Sequence, residues 1–413
     1  MVTRRSFLTA MAAGPAMSSV ALAMQEQSKV VLYASLDKEI IHYDVDVPNA
    51  TLTKRGSVTL PSCVQYAWPH ASRRFLYVAC SDVFTNAKTT DHYLAALRID
   101  PQSGELSLHG APQKLMSRPI HMTTDIPSRH VLVGFPTPAN VKVFRVNDDF
   151  TVGSEVPQPG VTDTGFYAHQ VRVTPDNRQV ILCTRGNDPT PKKPEDPGAL
   201  KIFAYANGTL SNELSFAPNG QGLGFGPRNL DFHPTKPWAY VSLERENKLF
   251  MFEYDKVRAA PRTYLKDLLG EPGNVRPLQL AGIIHVHPNG HFVYVTNRAT
   301  SSSDVGGEKV FAGGENHVSV FSIDQRTGEP TLIQRADQHK IYPRTVDVDP
   351  SGRLAVVQCT VPMDVRDGND VRMVPAGLTV SRIGSDGKLT LVRSYDSMEF
   401  SRDNALWMAF VKL

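Results

Sequence analysis

Cysteine is scarce in this 413-residue chain, charge of either sign is balanced, and low-complexity segments and linkers are missing. Lys plus Arg number 44 against 41 Asp plus Glu, a formal net charge of +3. That balance leaves no basic footprint for nucleic acid or an anionic membrane surface. No spacing of His, Cys, Asp or Glu resembles a zinc or calcium site. Only four cysteines occur. Cys63 and Cys80 stand at neighbouring strand positions, whereas Cys183 and Cys359 fall far apart, so a single Cys63–Cys80 bridge or four buried free thiols both fit.

The N-terminus reads TRRSFL and then TAMAAGPAMSSVALA. Arg4 and Arg5 form a twin-arginine pair, Gly14 and Pro15 interrupt a short, weakly apolar stretch, and Ala21 and Ala23 are a small-residue cleavage site. The stretch falls short of the roughly 20 residues that a spanning helix needs. Residues 1–23 are therefore expected to be a signal peptide that engages the twin-arginine export machinery and is removed in a bacterial periplasm, an uncleaved anchor being the alternative. The mature chain, residues 24–413, is expected to carry about +1 and to be soluble, with no stable membrane insertion.

What is present is a repeat. An alternating apolar run, a proline, a short polar turn and a second apolar run recur six times, aligned on Pro69, Pro127, Pro175, Pro234, Pro288 and Pro350 at intervals of 58, 48, 59, 54 and 62 residues. Turns such as PDNR, PNGH and PSGR separate two strands of period-two alternation. A third run follows each pair, and seven such runs occur: IIHYDVDV, LAALRID, VKVFRVN, LKIFAYA, LFMFEYD, VSVFSID and LTVSRIG. A repeat of about 50 residues made only of short strands predicts a β-propeller, one closed unit in spite of the chain's length. Seven third strands against six proline phrases leave one inner pair, which the chain ends KVVLYASLD and NALWMAFVKL supply. The expected architecture is all-β: a seven-bladed β-propeller of four-stranded antiparallel blades, with N- and C-terminal strands sharing the blade that shuts the ring. Polar insertions at 187–199, 299–316 and 361–377 each follow a second strand and so project from one face, as loops covering a site do.

The repeat also supplies a register. Six residues before each proline stand Cys63, His121, His169, Arg228, Gly282 and Arg344; ten residues after it stand Ala79, Thr137, Arg185, Glu244, Arg298 and Thr360. The start of the first strand and the end of the second lie at one face beside the central channel. Charged groups converging there are costly to desolvate unless they pair or meet a ligand. Inter-blade ion pairs, such as Glu244 with Arg228, are one reading; the excess of arginine over carboxylate favours an anionic or oxygen-rich ligand.

The phrases GFYAHQVRVTPDNRQV, GFGPRNLDFHPTKPWAYVSLE and HVHPNGHFVYVTNRAT resemble the motifs of the lactonase family of seven-bladed propellers, which includes bacterial 6-phosphogluconolactonases and fungal carboxy-muconate cyclases. The resemblance covers nearly everything after the signal peptide. It implies an active-site His at His169, arginines at Arg228 and Arg298, a Glu at Glu244, and no metal or other cofactor. Where the family commonly carries an acidic residue and a Gly-x-Asp phrase, this chain has Arg185, Gly186, Asn187 and Asp188, which adds a cation to the site.

Opening a lactone needs an activated water, a stabilised oxyanion and a proton for the leaving alkoxide. His169 suits the first task, and Arg228 and Arg298 the second or the clamping of substrate oxygens. Glu244 is open to three roles: orienting His169, orienting an arginine, or serving as the acid. Arg185, His121 and Arg344 are candidate substrate-binding residues. The expected substrate is a lactone or carboxylate: a sugar δ-lactone of the gluconolactone or 6-phosphogluconolactone type, hydrolysed to the aldonic acid. Cycloisomerisation of a muconate-like diacid and non-catalytic ligand binding are the alternatives. His233, His287 and Asp349 read as turn residues, His42 and His317 as exposed, and His285 as core.

Overall fold

Short runs of alternating apolar residues cannot bury both faces alone, and in a computed structural model they do so as blades. The structure describes residues 29–83, 91–218, 220–368 and 370–413, so the twin-arginine segment lies outside the described residues. Seven antiparallel sheets form the blades, and a small eighth sheet stands apart from them. Blade 1 runs outward from Met408–Lys412 through Val30–Leu36 and Glu39–Asp46 to Thr51–Thr59. The innermost strands of blades 2 to 7 are Val64–Pro69, His121–Thr124, Ala168–Val173, Pro227–Phe232, Leu280–Val286 and Ile341–Val348. Each is followed across the proline turn by its second strand: Phe75–Ser81, His130–Pro136, Gln179–Thr184, Trp238–Leu243, Phe292–Arg298 and Leu354–Val361. In blade 2 the outer position is split between Leu106–Leu108 and Gln113–Lys114.

The two chain ends meet in blade 1, where Val31 pairs with Val411 and Leu32 with Phe410. Every pair of neighbouring blades then shares its own buried apolar layer. Val31, Leu76 and Trp407 belong to the layer between blades 1 and 2, and Leu32, Leu354 and Phe410 to the layer between blades 7 and 1. Polar clasps reinforce these layers. Tyr33, Tyr77, Tyr240 and Tyr294 donate their phenols to the carbonyls of Gly104, Phe150, Gly328 and Gly387 in outer turns of the next blade. His233 and His287, as expected of turn residues, reach the Gly290 and Gly352 carbonyls of adjacent proline turns, 2.9 Å away in both cases.

Several expectations change. His42 and His317 are buried, because the blade 2 turn at Gly104 covers His42 beside Tyr33, and Glu315, held by the Gly270 N–H after blade 5, lies 2.9 Å from His317 Nε2. His285 is no core residue; it faces the channel between Asp347 at 3.4 Å and Asp231 at 3.8 Å. All four cysteines are free and buried. Two of the three insertions are not loops. Residues 299–316 contain the hairpin Ser302–Val305 and Glu308–Phe311, and residues 361–377 contain Met363–Asp367 and Asp370–Val374. The hairpins join edge to edge at Val310 and Asp364 into the eighth sheet, which packs Val374 and Phe311 against Ile341 and Tyr342.

Candidate functional site

Five innermost strands carry one extra residue near the same end. Opposite a single step in the second strand, blade 4 inserts His169 between Ala168 and Gln170, blade 5 inserts Arg228 between Pro227 and Asn229, and blade 7 inserts Arg344 between Pro343 and Thr345. Blade 2 does the same at Gln65, and blade 6 at Gly282 and Ile283. A β-bulge leaves its extra residue unpaired and re-aims its side chain. Here the bulges turn a ring of strand residues toward the channel mouth.

The result is a cavity of about 370 Å³. All seven residues singled out from the sequence line it: His121, His169, Arg185, Arg228, Glu244, Arg298 and Arg344. So do Gln65, Tyr66, Arg118, Tyr167, Asn229, Tyr342, Arg402 and Asp403, which the register did not single out. Six arginines therefore face two carboxylates. Tyr167 and Tyr342 had a usable signal, since each stands eight residues before its proline and so one alternation ahead of His169 and Arg344. Arg118, Arg402 and Asp403 lie outside the strands, where no register applies.

Glu244 is the hub. Its Oε1 accepts from Arg228 Nε at 2.9 Å and Arg298 Nη2 at 2.6 Å, and its Oε2 accepts from Arg185 Nε. Burial alone pushes the carboxyl upward, but Arg228, Arg298 and Arg185 outweigh it and hold the group well below the usual carboxylate range. Glu244 is thus an ionised acceptor that orients three guanidiniums and feels the charge state of His169, and the role of acid falls away. Arg228 also donates to Asn229, and Arg185 to Asp188 at 3.1 Å. Gly282 leaves room for two neighbours: a Cβ there would collide with Thr296 Oγ1 and lie 2.8 Å from Arg298 Nη1. Among the described residues, Arg298 Nε and Nη1 and Arg344 Nε are buried without a hydrogen-bond partner.

The two histidines are held neutral. Burial, then the charge of Arg228, keeps the His169 imidazole well below its usual value, and its Nδ1 has no partner among the described residues. His121 is shifted the same way by burial, then Arg172 and Arg228, and packs on Tyr66 with ring centroids 3.9 Å apart and planes tilted by 38°. Tyr167 and Tyr342 both line the cavity against arginines, Arg185 at 5.5 Å from the first ring centre and Arg298 at 5.0 Å from the second. Among the described residues no three His, Cys, Asp or Glu side chains group as a metal-ligand set. Such a site can hold an anionic or oxygen-rich ligand, accept a proton at a neutral imidazole, and stabilise negative charge on an oxygen.

The model of the family described as lactonase, seven-bladed β-propeller, matches residues 30–361. The 6-phosphogluconolactonase of Bacillus subtilis (strain 168) is 28% identical over 269 residues, 62% of this chain and 68% of that protein. The 6-phosphogluconolactonase of Cronobacter sakazakii is 25% identical over 338 residues, 79% of this chain and 86% of that protein. The solved structure of the periplasmic gluconolactonase of Pseudomonas aeruginosa has a TM-score of 0.70 at 19% identity, covering 93% of this chain and 99% of that one, a likeness of fold.

Proposed function

Because this chain belongs to the lactonase family of seven-bladed β-propellers, we propose that it hydrolyses a sugar δ-lactone to the aldonic acid at the channel-mouth cavity. The observation that carries this reading is a neutral His169 beside guanidiniums that Glu244 holds in place. A neutral imidazole can take a proton from water as it attacks the carbonyl carbon. Arg298 and Arg228 can then meet the charge that develops on the carbonyl oxygen, in a site whose donors are already oriented. Glu244 acts by keeping those donors apart and aimed, and Arg185, Arg344 and His121 are assigned to substrate binding. The twin-arginine motif at Arg4 and Arg5 supports export to the periplasm and, with it, an unphosphorylated substrate formed there by oxidation of an aldose.

Six arginines against two carboxylates favour a second reading, cycloisomerisation of a muconate-like diacid, in which the guanidiniums bind carboxylates. Acid release from glucono-δ-lactone, followed at constant pH, separates the two. Wild-type protein is expected to release acid well above the uncatalysed rate, and His169→Ala to lose about 10²- to 10⁴-fold in kcat. Because His169 Nδ1 makes no hydrogen bond that the variant would break, Tm is expected to hold. Activity is expected to persist below pH 6.5, since the base stays unprotonated there. Acid release no faster with folded wild type than without it, from this lactone and from 6-phosphogluconolactone, would overturn the proposal. Loss of a muconate chromophore would install the second reading.

A further inference from the structure

The arrangement around Glu244 leaves one chemical task unassigned. Lactone opening expels an alkoxide that must be protonated, and an ionised carboxylate bridged by three guanidiniums has no proton to give. Tyr342 lines the same cavity, and its backbone is held in an unusual state. Its φ is 61°, the left-handed region, where a bulky aromatic is a genuine outlier. Pro343 follows it, and a residue before proline ordinarily takes an extended backbone. Such strain persists only where the surroundings over-determine it.

Those surroundings are specific. Asn316 Oδ1 accepts the Tyr342 N–H at 2.9 Å and the Ala299 N–H, next to Arg298, also at 2.9 Å. One side chain from an insertion therefore ties together the backbones that carry Tyr342 and Arg298. The eighth sheet closes behind, packing Val374 and Phe311 against Tyr342. In front, the Arg298 guanidinium lies 5.0 Å from the ring centre. From this geometry we infer that Tyr342 is a catalytic residue, the general acid that delivers a proton to the leaving ring oxygen of the lactone; the inference rests on the hydrolytic reading above.

The step balances without a co-reactant. Water oxygen bonds to the carbonyl carbon as His169 takes a water proton; the carbon to ring-oxygen bond breaks as the Tyr342 hydroxyl gives its proton to that oxygen. Imidazolium and phenolate then return to neutrality by proton exchange through water, and the new carboxylic acid ionises into solvent. Although burial raises the phenol, Arg298, Arg344 and Arg228 outweigh burial and Glu244 and hold it below its ordinary value of 10.0. Burial instead pushes another tyrosine of the cavity, Tyr66, up to about 12. A phenol brought toward the working pH is the better acid.

The test uses the full chain with Tyr342→Phe and with 3-fluorotyrosine at position 342, both close to isosteric, assayed by acid release from glucono-δ-lactone. Tyr342→Phe is expected to lower kcat by about 10²-fold or more with KM within about threefold and Tm unchanged. In wild type kcat is expected to fall as pH rises through the phenol's titration, because the acid is lost. That alkaline limb is expected to vanish in Tyr342→Phe and to move to lower pH with the more acidic fluorinated phenol. A Tyr342→Phe kcat within threefold of wild type, or a limb that fluorination does not move, would overturn the inference while leaving the hydrolytic reading intact. Wild type inert toward lactones would remove both.

Discussion

Glu244 stands where three guanidiniums would otherwise face one another in a buried site, and its removal should cost more than its presence contributes. Glu244→Gln keeps the shape and deletes the charge. Breaking a buried ion pair by neutralising one partner costs about 3–5 kcal/mol. Tm is therefore expected to fall by roughly 4–6 °C, sulfate to restore part of that loss by serving as counter-anion, and kcat to drop with it; a Glu244→Gln protein as stable as wild type would contradict the hub assignment. The pH dependence has a definite sign. The Glu244 carboxyl sits below its unfolded value, so its stabilising contribution is present above about pH 4.3 and lost as pH falls through the folded value. His121 and His169 act in the same direction, since unfolded imidazoles bind protons below about pH 6.5 and these folded ones resist them. The gap in Tm between wild type and Glu244→Gln should narrow as pH drops below about 4. His169, Arg228 and Arg344 were legible because a repeat places them in register. Their aim was not, because it depends on bulges that exist only in the pairing of two strands.

Two hairpins separated by about 50 residues of chain make the element of most consequence beyond the blades. As sequence they are polar stretches rich in Ser, Gly and Asp, without a period long enough to announce strands. Their single parallel contact, Val310 with Asp364, links blade 6 to blade 7 and lets Val374 and Phe311 seal Ile341 and Tyr342. Replacing residues 363–374 with a short Gly-Ser turn should lower Tm by only a few degrees, since the main apolar layers are untouched. It should lower kcat about tenfold or more, because Tyr342 loses the packing that holds its strained backbone. Unchanged kcat in that variant, measured beside its Tm, would mean the sheet is only a cover.

At the scale of the whole molecule, closure of the ring rests on the last strand. Leu406, Trp407, Met408, Phe410 and Val411 are all buried, in the two apolar layers that flank blade 1 or beside them. At about 1.5–3 kcal/mol for each large side chain, their loss approaches or exceeds the total stability of about 5–15 kcal/mol. Deleting residues 400–413 should abolish the cooperative melting transition, and a truncated chain that still melts sharply would count against closure by the chain ends. The sequence by itself determined the blade strands, the seven blades, the shared terminal blade and which end of the strand pairs gathers charge, because alternation and register are one-dimensional properties. Only the tertiary structure decided that Glu244 bridges Arg185, Arg228 and Arg298, that His42 and His317 are buried, and that two distant insertions converge behind Tyr342. Those facts depend on distances between blades and on β-bulges, and a pattern along one strand does not encode how far its side chains lie from the next.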